Sequence, residues 1–141
     1  MLINTTQKNE KVVLGLLSLI CQEEDQMKEA SQVLGKYRDQ EGFDLFLYKD
    51  PETSNYVGLV GVESRRPAGQ EDSKQETIIV HFMSVIPSFE KDNVDYLLYK
   101  GLKDLFPQAQ ITGAISEQMQ DKVADFADRY RQESSSEEES D

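Results

Sequence analysis

The chain is poor in the residues that make crosslinks and hold metals. It has one cysteine, Cys21, and one histidine, His81, in 141 residues. A single cysteine excludes an internal disulfide and suits a reducing compartment. One histidine beside one cysteine makes no His/Cys set for zinc, and no metal site is expected. Basic charge is scarce too. Fifteen Lys and Arg stand against 27 Asp and Glu, for a net charge of −12. An acidic chain is a poor partner for nucleic acid or an anionic membrane, and neither is expected. Long apolar runs are also missing. Val12 to Cys21 is far below the roughly 20 residues of a membrane helix. It follows Lys8 and Lys11 as a signal-peptide core would, but Gln22-Glu-Glu-Asp25 comes next instead of a small-residue cleavage site. Ile20 stands where a lipoprotein needs a small residue before Cys21. The segment reads as a core helix and the protein as cytoplasmic. Cys21 has no convincing base for a nucleophile and reads as a small buried residue.

What is present suits one domain with a core of its own: 38% of residues are hydrophobic and 9% aromatic. Part of the acidic excess is local. Gln132 to Asp141 holds Glu133, Glu137, Glu138, Glu139 and Asp141 with no base. The expected organisation is a domain over 1–131 and a disordered acidic Ser/Glu tail over 132–141. The serines of that tail read as solubilising or, beside glutamates, as phosphorylation sites.

Hydrophobic spacing gives the elements. Met1-Leu-Ile-Asn-Thr-Thr6 reads as a first strand. A helix from about Lys11 to Cys21 buries Val12, Val13, Leu16, Leu17 and Ile20, and a second from about Glu24 to Arg38 carries Met27, Ala30, Val33, Leu34 and Tyr37 on one face. Phe43 to Tyr48 and Tyr56 to Val62 read as strands joined by the turn-rich Lys49 to Asn55, hence a hairpin. Gly58 and Gly61 inside the second strand point to a bulge or a close backbone approach. Ser64 to Gln75 is a long polar loop with Arg65 and Arg66, either solvated or folded over a ligand phosphate. A short strand near Gln110 to Ile115 and a helix from about Ser116 to Arg131 complete the domain.

The rest is organised around Glu76 to Phe106. Thr77-Ile-Ile-Val-His-Phe-Met-Ser-Val85 reads as a buried strand, on which His81 alternates with Ile79, Met83 and Val85. Ile86-Pro87 ends it, since proline cannot donate to a ladder. A polar turn, Ser88 to Asn93, leads into a helix whose Val94, Leu97, Leu98, Gly101, Leu102 and Leu105 form one apolar stripe. Asp92 or Asn93 is placed to cap it. A helix start facing the end of a strand is an anion site in waiting, because free N–H groups and the helix dipole point together.

The order β-α-α-β-β-β-α-β-α gives an α+β fold, a mixed central sheet flanked by helices. It resembles the GNAT acetyltransferase superfamily, in which a Val-x-Pro-like strand end and a short loop lead into the third helix. Ser84-Val-Ile-Pro87, Ser88 to Asn93 and Val94 to Phe106 occupy those places. Met1-Leu-Ile3, Gly15-Leu-Leu-Ser18, Leu45-Phe-Leu-Tyr-Lys49, Val60-Gly-Val-Glu63, Ser84-Val85 with Pro87-Ser88, and Leu102 to Phe106 together resemble the RibT-like proteins encoded with riboflavin-biosynthesis genes. The resemblance implies acetyl-CoA as cofactor and an amine as acceptor. It also implies a pantetheine arm pairing near Met83, Ser84 and Val85, with the pyrophosphate on the loop Glu90, Lys91, Asp92, Asn93, Val94, Asp95. The family's loop reads Arg/Gln-x-x-Gly-x-Gly/Ala. Here Glu90, Asn93 and Asp95 stand at its three defining places. Read as residues alone, Glu90 to Asp95 is better explained as a helix start that caps itself.

The residues leave the catalytic group open. His81 suits a general base, since histidine titrates near neutrality, and equally a structural strand residue. Glu63, at a strand end, is a proton acceptor or an exposed carboxylate. Tyr130 or Phe126 stands where some GNAT proteins carry a tyrosine that protonates the leaving thiolate, and their spacing reads also as packing. Two functions follow. One is an acetyl-CoA-dependent N-acetyltransferase linked by resemblance to riboflavin biosynthesis. The other is a catalytically inactive GNAT-fold protein acting on a protein partner. Monomer and dimer fit both.

Overall fold

The apolar residues of each segment decide which layer it enters. The computed structural model describes residues 2–5, 7–20, 26–65, 76–114 and 117–139. Cys21, Arg66, the loop 66–75 and the expected strand end at Ile115 lie outside the described residues. The elements are β1 (Leu2–Asn4), α1 (Glu10–Ser18), α2 (Gln26–Asp39), β2 (Phe43–Lys49), β3 (Tyr56–Arg65), β4 (Thr77–Val85), α3 (Val94–Leu105), β5 (Gln110–Gly113) and α4 (Glu117–Glu139). The five strands lie side by side in sequence order. The first four pair antiparallel, and β4 pairs with β5 in parallel. This is the expected order and the expected mixed sheet.

Two cores sandwich the sheet. Val13, Leu16 and Leu17 of α1 and Ala30, Leu34 and Tyr37 of α2 pack on Leu45, Leu47 and Leu59. Val94, Leu98 and Leu102 of α3 and Val123 of α4 pack on the other face, with Phe46, Val60, Val62, Ile78 and Val80. Each buried Val, Leu, Ile or Phe of these sets contributes about 1.5–3 kcal/mol. Three expectations are corrected. The first helix ends at Ser18, whose hydroxyl donates to Gly15 O at 2.6 Å. Ile20 therefore leaves the helical register, and Val12 also faces out; their exposures are 39% and 36%. Secondly, β3 runs on to Arg65, because Glu63, Ser64 and Arg65 pair with Ile79, Ile78 and Thr77. Arg65 thus belongs to a strand. Thirdly, α4 passes Arg131 and reaches Glu139. Glu133, placed by composition in the acidic tail, accepts the Tyr96 hydroxyl at 2.8 Å. Burial and that bond push Tyr96 up to about 12.

Backbone approach is tightest at Gly113, where β5 meets the start of α4. A Cβ there would lie 2.5 Å from Met119 O and 2.6 Å from the Gln120 backbone. Backbone cannot rotate away as a side chain can. Gly113→Ala is expected to destabilise by about 1–3 kcal/mol in urea unfolding. Gly15→Ala is the control. Nothing lies within 4 Å of its Cβ inside α1, and helix propensity predicts a gain of up to about 1 kcal/mol. Equal effects at the two sites would show that the α4–β5 approach is not tight.

Candidate functional site

The site starts from a break in the pairing of β4. On one side β4 pairs with β3 along its whole length. On the other it pairs with β5 only from Thr77 to Val80, and Ala114 N donates to Val80 O at 2.8 Å where the two part. From His81 to Val85 no described residue pairs with that edge. Its N–H and C=O groups are strong, obligatory hydrogen-bonding groups. A bulge sits at the parting point. Val62 faces Val80 and Gly61 faces Phe82, so His81 is the extra residue. Gly61 has no side chain to collide with the Phe82 ring that lies over it.

The bulge overturns the expected alternation. Met83 and Val85 pack with Ile78 and Val80 on the α3 side. Phe82 joins the α2 side, where its ring meets Tyr37 edge-on at 5.5 Å. His81 stays on that side as well, 6.3 Å from the Tyr37 ring and 5.8 Å from Phe43. Ser84 is buried and donates its hydroxyl to Leu16 O at 2.6 Å, tying the end of β4 to α1. A cleft of about 260 Å³ opens beside this end, lined by Leu19, Ile20, Met83, Ser84, Val85, Pro87, Asp95 and Lys122.

Past the cleft, Pro87–Asp92 forms a 3₁₀ turn carrying Glu90, Lys91 and Asp92. Asn93 follows at φ 58°, ψ 32°, a left-handed conformation that asparagine tolerates better than most residues. Its side chain makes no cap bond. The cap comes from Asp95, whose Oδ1 accepts Tyr96 N–H at 2.9 Å. Asp95 Oδ2 lies 3.1 Å from Lys122 Nζ of α4, with the two side chains 31% and 39% exposed. An ion pair that open contributes about 0–1 kcal/mol.

Glu63 and His81 come together. Their Oε1 and Nε2 atoms are 3.0 Å apart, and Arg65 Nε donates to Glu63 Oε2 at 2.6 Å. The Arg65 bond holds the Glu63 carboxyl below its ordinary range, and the His81 contact does the same against the opposing effect of burial. Burial, and then the Glu63 charge, push the Tyr37 hydroxyl well above its usual value. Tyr130 is elsewhere. It packs edge-on against Tyr99 at 6.2 Å in the α3–α4 seam, eight residues beyond Lys122, or about 12 Å along α4. A larger cavity of about 500 Å³, with Asn4, Glu10, Arg38 and Asp44 in its wall, lies at the start of β2, the opposite end of the sheet from the cleft. Lys122 was not singled out in the sequence. Its one signal there is being the only base from Glu117 to Asp128.

A sheet of this order whose fourth and fifth strands part beside a turn and a helix start defines the class: the chain belongs to the GNAT acetyltransferase superfamily. The particular relatives agree. A Bacillus methanolicus protein named "Uncharacterized N-acetyltransferase in lysA 3'region" is 30% identical over 111 residues, covering 79% of this chain and 83% of its own length. The aminoglycoside 6'-N-acetyltransferase of Acinetobacter haemolyticus has the same fold at TM-score 0.58 and 12% identity, over 83% of this chain and 81% of that one. A Staphylococcus aureus GNAT family acetyltransferase matches at TM-score 0.60 and 13% identity, over 83% and 87%. No family profile matches the chain.

A carboxyl depressed in the folded state adds stability that is present above its unfolded value and lost as pH falls through the folded one. Glu63→Gln is therefore expected to unfold at lower urea than the native chain at neutral pH. The gap should narrow as pH falls below the ordinary value of 4.5. A gap independent of pH would assign the loss to packing instead of charge.

Proposed function

We propose that the chain is an acetyl-CoA-dependent N-acetyltransferase working at the free edge of β4. The edge from His81 to Val85, which pairs with no described residue, carries this reading. A pantetheine arm is an extended chain with two amides, and it suits such an edge as an added strand. The fit is good for that arm, which Met83, Ser84 and Val85 would hold. Bound acetyl-CoA supplies the thioester on which a neutral amine acts. The chain supplies the surroundings: an N–H group on the free edge of β4 for the developing oxyanion, and a base. Glu63, kept ionised by Arg65, accepts Nε2–H of His81 and leaves Nδ1 free to take the proton that the acceptor ammonium must lose. Tyr130, packed in the α3–α4 seam, has no part in this reading. The likeness to RibT-like proteins supports a role in riboflavin biosynthesis, and that link rests on the resemblance alone. Confinement to the cytoplasm belongs to the same reading.

One observation favours a second reading, a catalytically inactive GNAT-fold binding or regulatory protein. The non-consensus loop leads to Asp95, which occupies the N–H of Tyr96 where a bound pyrophosphate would compete for the helix start. Calorimetric titration of the full chain with acetyl-CoA and CoA at low salt decides between them. Micromolar binding is expected. With an acceptor in hand, His81→Ala should lower kcat while leaving acetyl-CoA binding unchanged, and Glu63→Gln should lower kcat less. No binding at millimolar ligand would remove the acetyltransferase reading and leave the second.

A further inference from the structure

We propose that the cavity at the start of β2 is a second small-molecule site, built for an α-amino acid with an apolar side chain. It is separate from the cleft beside β4 and does not rest on the acetyl-CoA reading.

The cavity exists because two strands end unevenly. β1 stops at Asn4, opposite Phe46, while β2 starts at Phe43. Thr5 N–H reaches Leu45 O at 3.4 Å, and Phe43 and Asp44 have no described strand beside them on that edge. α1 begins at Glu10 and α2 ends at Asp39, and both helix ends border the gap. The space is about 500 Å³, within the roughly 300–1,000 Å³ usual for small-molecule sites.

The lining sorts by depth. Val13, Leu34 and Leu45 are buried and make an apolar floor. The charged groups stand at the rim and carry both signs. Asp44 forms no ion pair among the described residues. Burial raises its carboxyl above the ordinary value, and the Glu76 charge adds to that. A carboxylate so placed gains from a cation. Arg38 meets Glu10 at 3.9 Å with both side chains about half exposed. A pair of that kind contributes about 0–1 kcal/mol, and the guanidinium keeps donors for an incoming carboxylate. An ammonium for Asp44, a carboxylate for Arg38 and an apolar side chain for the floor are the three parts of one molecule, an apolar α-amino acid. Its presence reaches β4. Tyr37 and Phe43 wall the cavity, and their rings also lie 6.3 and 5.8 Å from His81. His81 is the only histidine in the chain, so its ring resonances report on the cavity.

The test titrates the full chain with L-valine, L-leucine and L-phenylalanine. Isoamylamine and isocaproate, which are leucine without its carboxylate and without its ammonium, serve as controls. At least one of the three amino acids is expected to bind at millimolar concentration or below, to raise the melting temperature and to move the His81 ring resonances. Each control should bind about tenfold more weakly than L-leucine, the scale of one charge-assisted hydrogen bond. Asp44→Asn and Arg38→Gln should each weaken the amino acid by a similar factor, with little change in the melting temperature of the free chain. Leu34→Phe, which fills the floor, should abolish binding with both charges in place. No binding of any of the three at tens of millimolar would overturn the proposal. So would unchanged binding in Asp44→Asn and Arg38→Gln, or isoamylamine binding as tightly as L-leucine, which would make the cavity a site for simple amines.

Discussion

Backbone amides must find partners, and along one edge of β4, from His81 to Val85, none is found among the described residues. β4 pairs with β3 from Thr77 to Val85 except at the bulged His81, and with β5 only from Thr77 to Val80. The bulge at His81 marks the transition, and two features depend on it. The strand face changes there, so that His81 and Phe82 both turn toward α2 while Met83 and Val85 turn toward α3. The freed edge then borders a cleft that α1, α3 and α4 close from three directions. Ser84 holds the geometry from α1, and Gly113 lets α4 approach β5 closely on the other side. The site is thus a consequence of how the sheet ends.

Electrostatics on the two sides of β4 are organised by different pairs. On the α2 side Glu63 is clamped by Arg65 and faces His81 beneath an aromatic wall of Tyr37 and Phe43. At the cleft Asp95 holds the start of α3 and Lys122 together. The first pair is the more shielded, with His81 and Glu63 side chains 29% and 15% exposed against 39% and 31% for Lys122 and Asp95. Shielding strengthens a charge pair and exposure weakens it. The Glu63–His81 contact therefore fixes a geometry, and the Asp95–Lys122 contact can be exchanged for another.

Much of the fold was legible because its signals are local. Alternating apolar residues mark β2, β3 and β4, the 3.6-residue stripe marks α3, and Pro87 ends β4. The element order followed directly, and with it the superfamily resemblance that a 30% identical relative now bears out. The site was legible in part. Met83, Ser84 and Val85 were placed at the end of β4, where the cleft opens, and His81 and Glu63 were singled out separately. Their contact was not legible, since 18 residues separate them. The bulge was legible from the β3 side, where Gly61 pointed to a bulge or a close approach; that its extra residue is His81 of β4 was not, because a one-residue insertion leaves the apolar run of β4 looking regular. Ile20 and Val12 were misjudged for a related reason: the apolar run of α1 continues past the point where the helix stops at Ser18.

The sequence by itself determined the elements, their order and the turn before α3, since each rests on residues within a few positions of one another. It also determined that Asp95 sits in the first turn of α3, where a carboxylate caps the helix. Only the tertiary structure decided what the elements do to each other: that β4 parts from β5 after Val80, that His81 meets Glu63, and that Lys122 arrives from α4 to face Asp95. Such contacts join residues far apart in the chain. Their energies depend on distances of a few ångströms, which no local pattern of residues encodes.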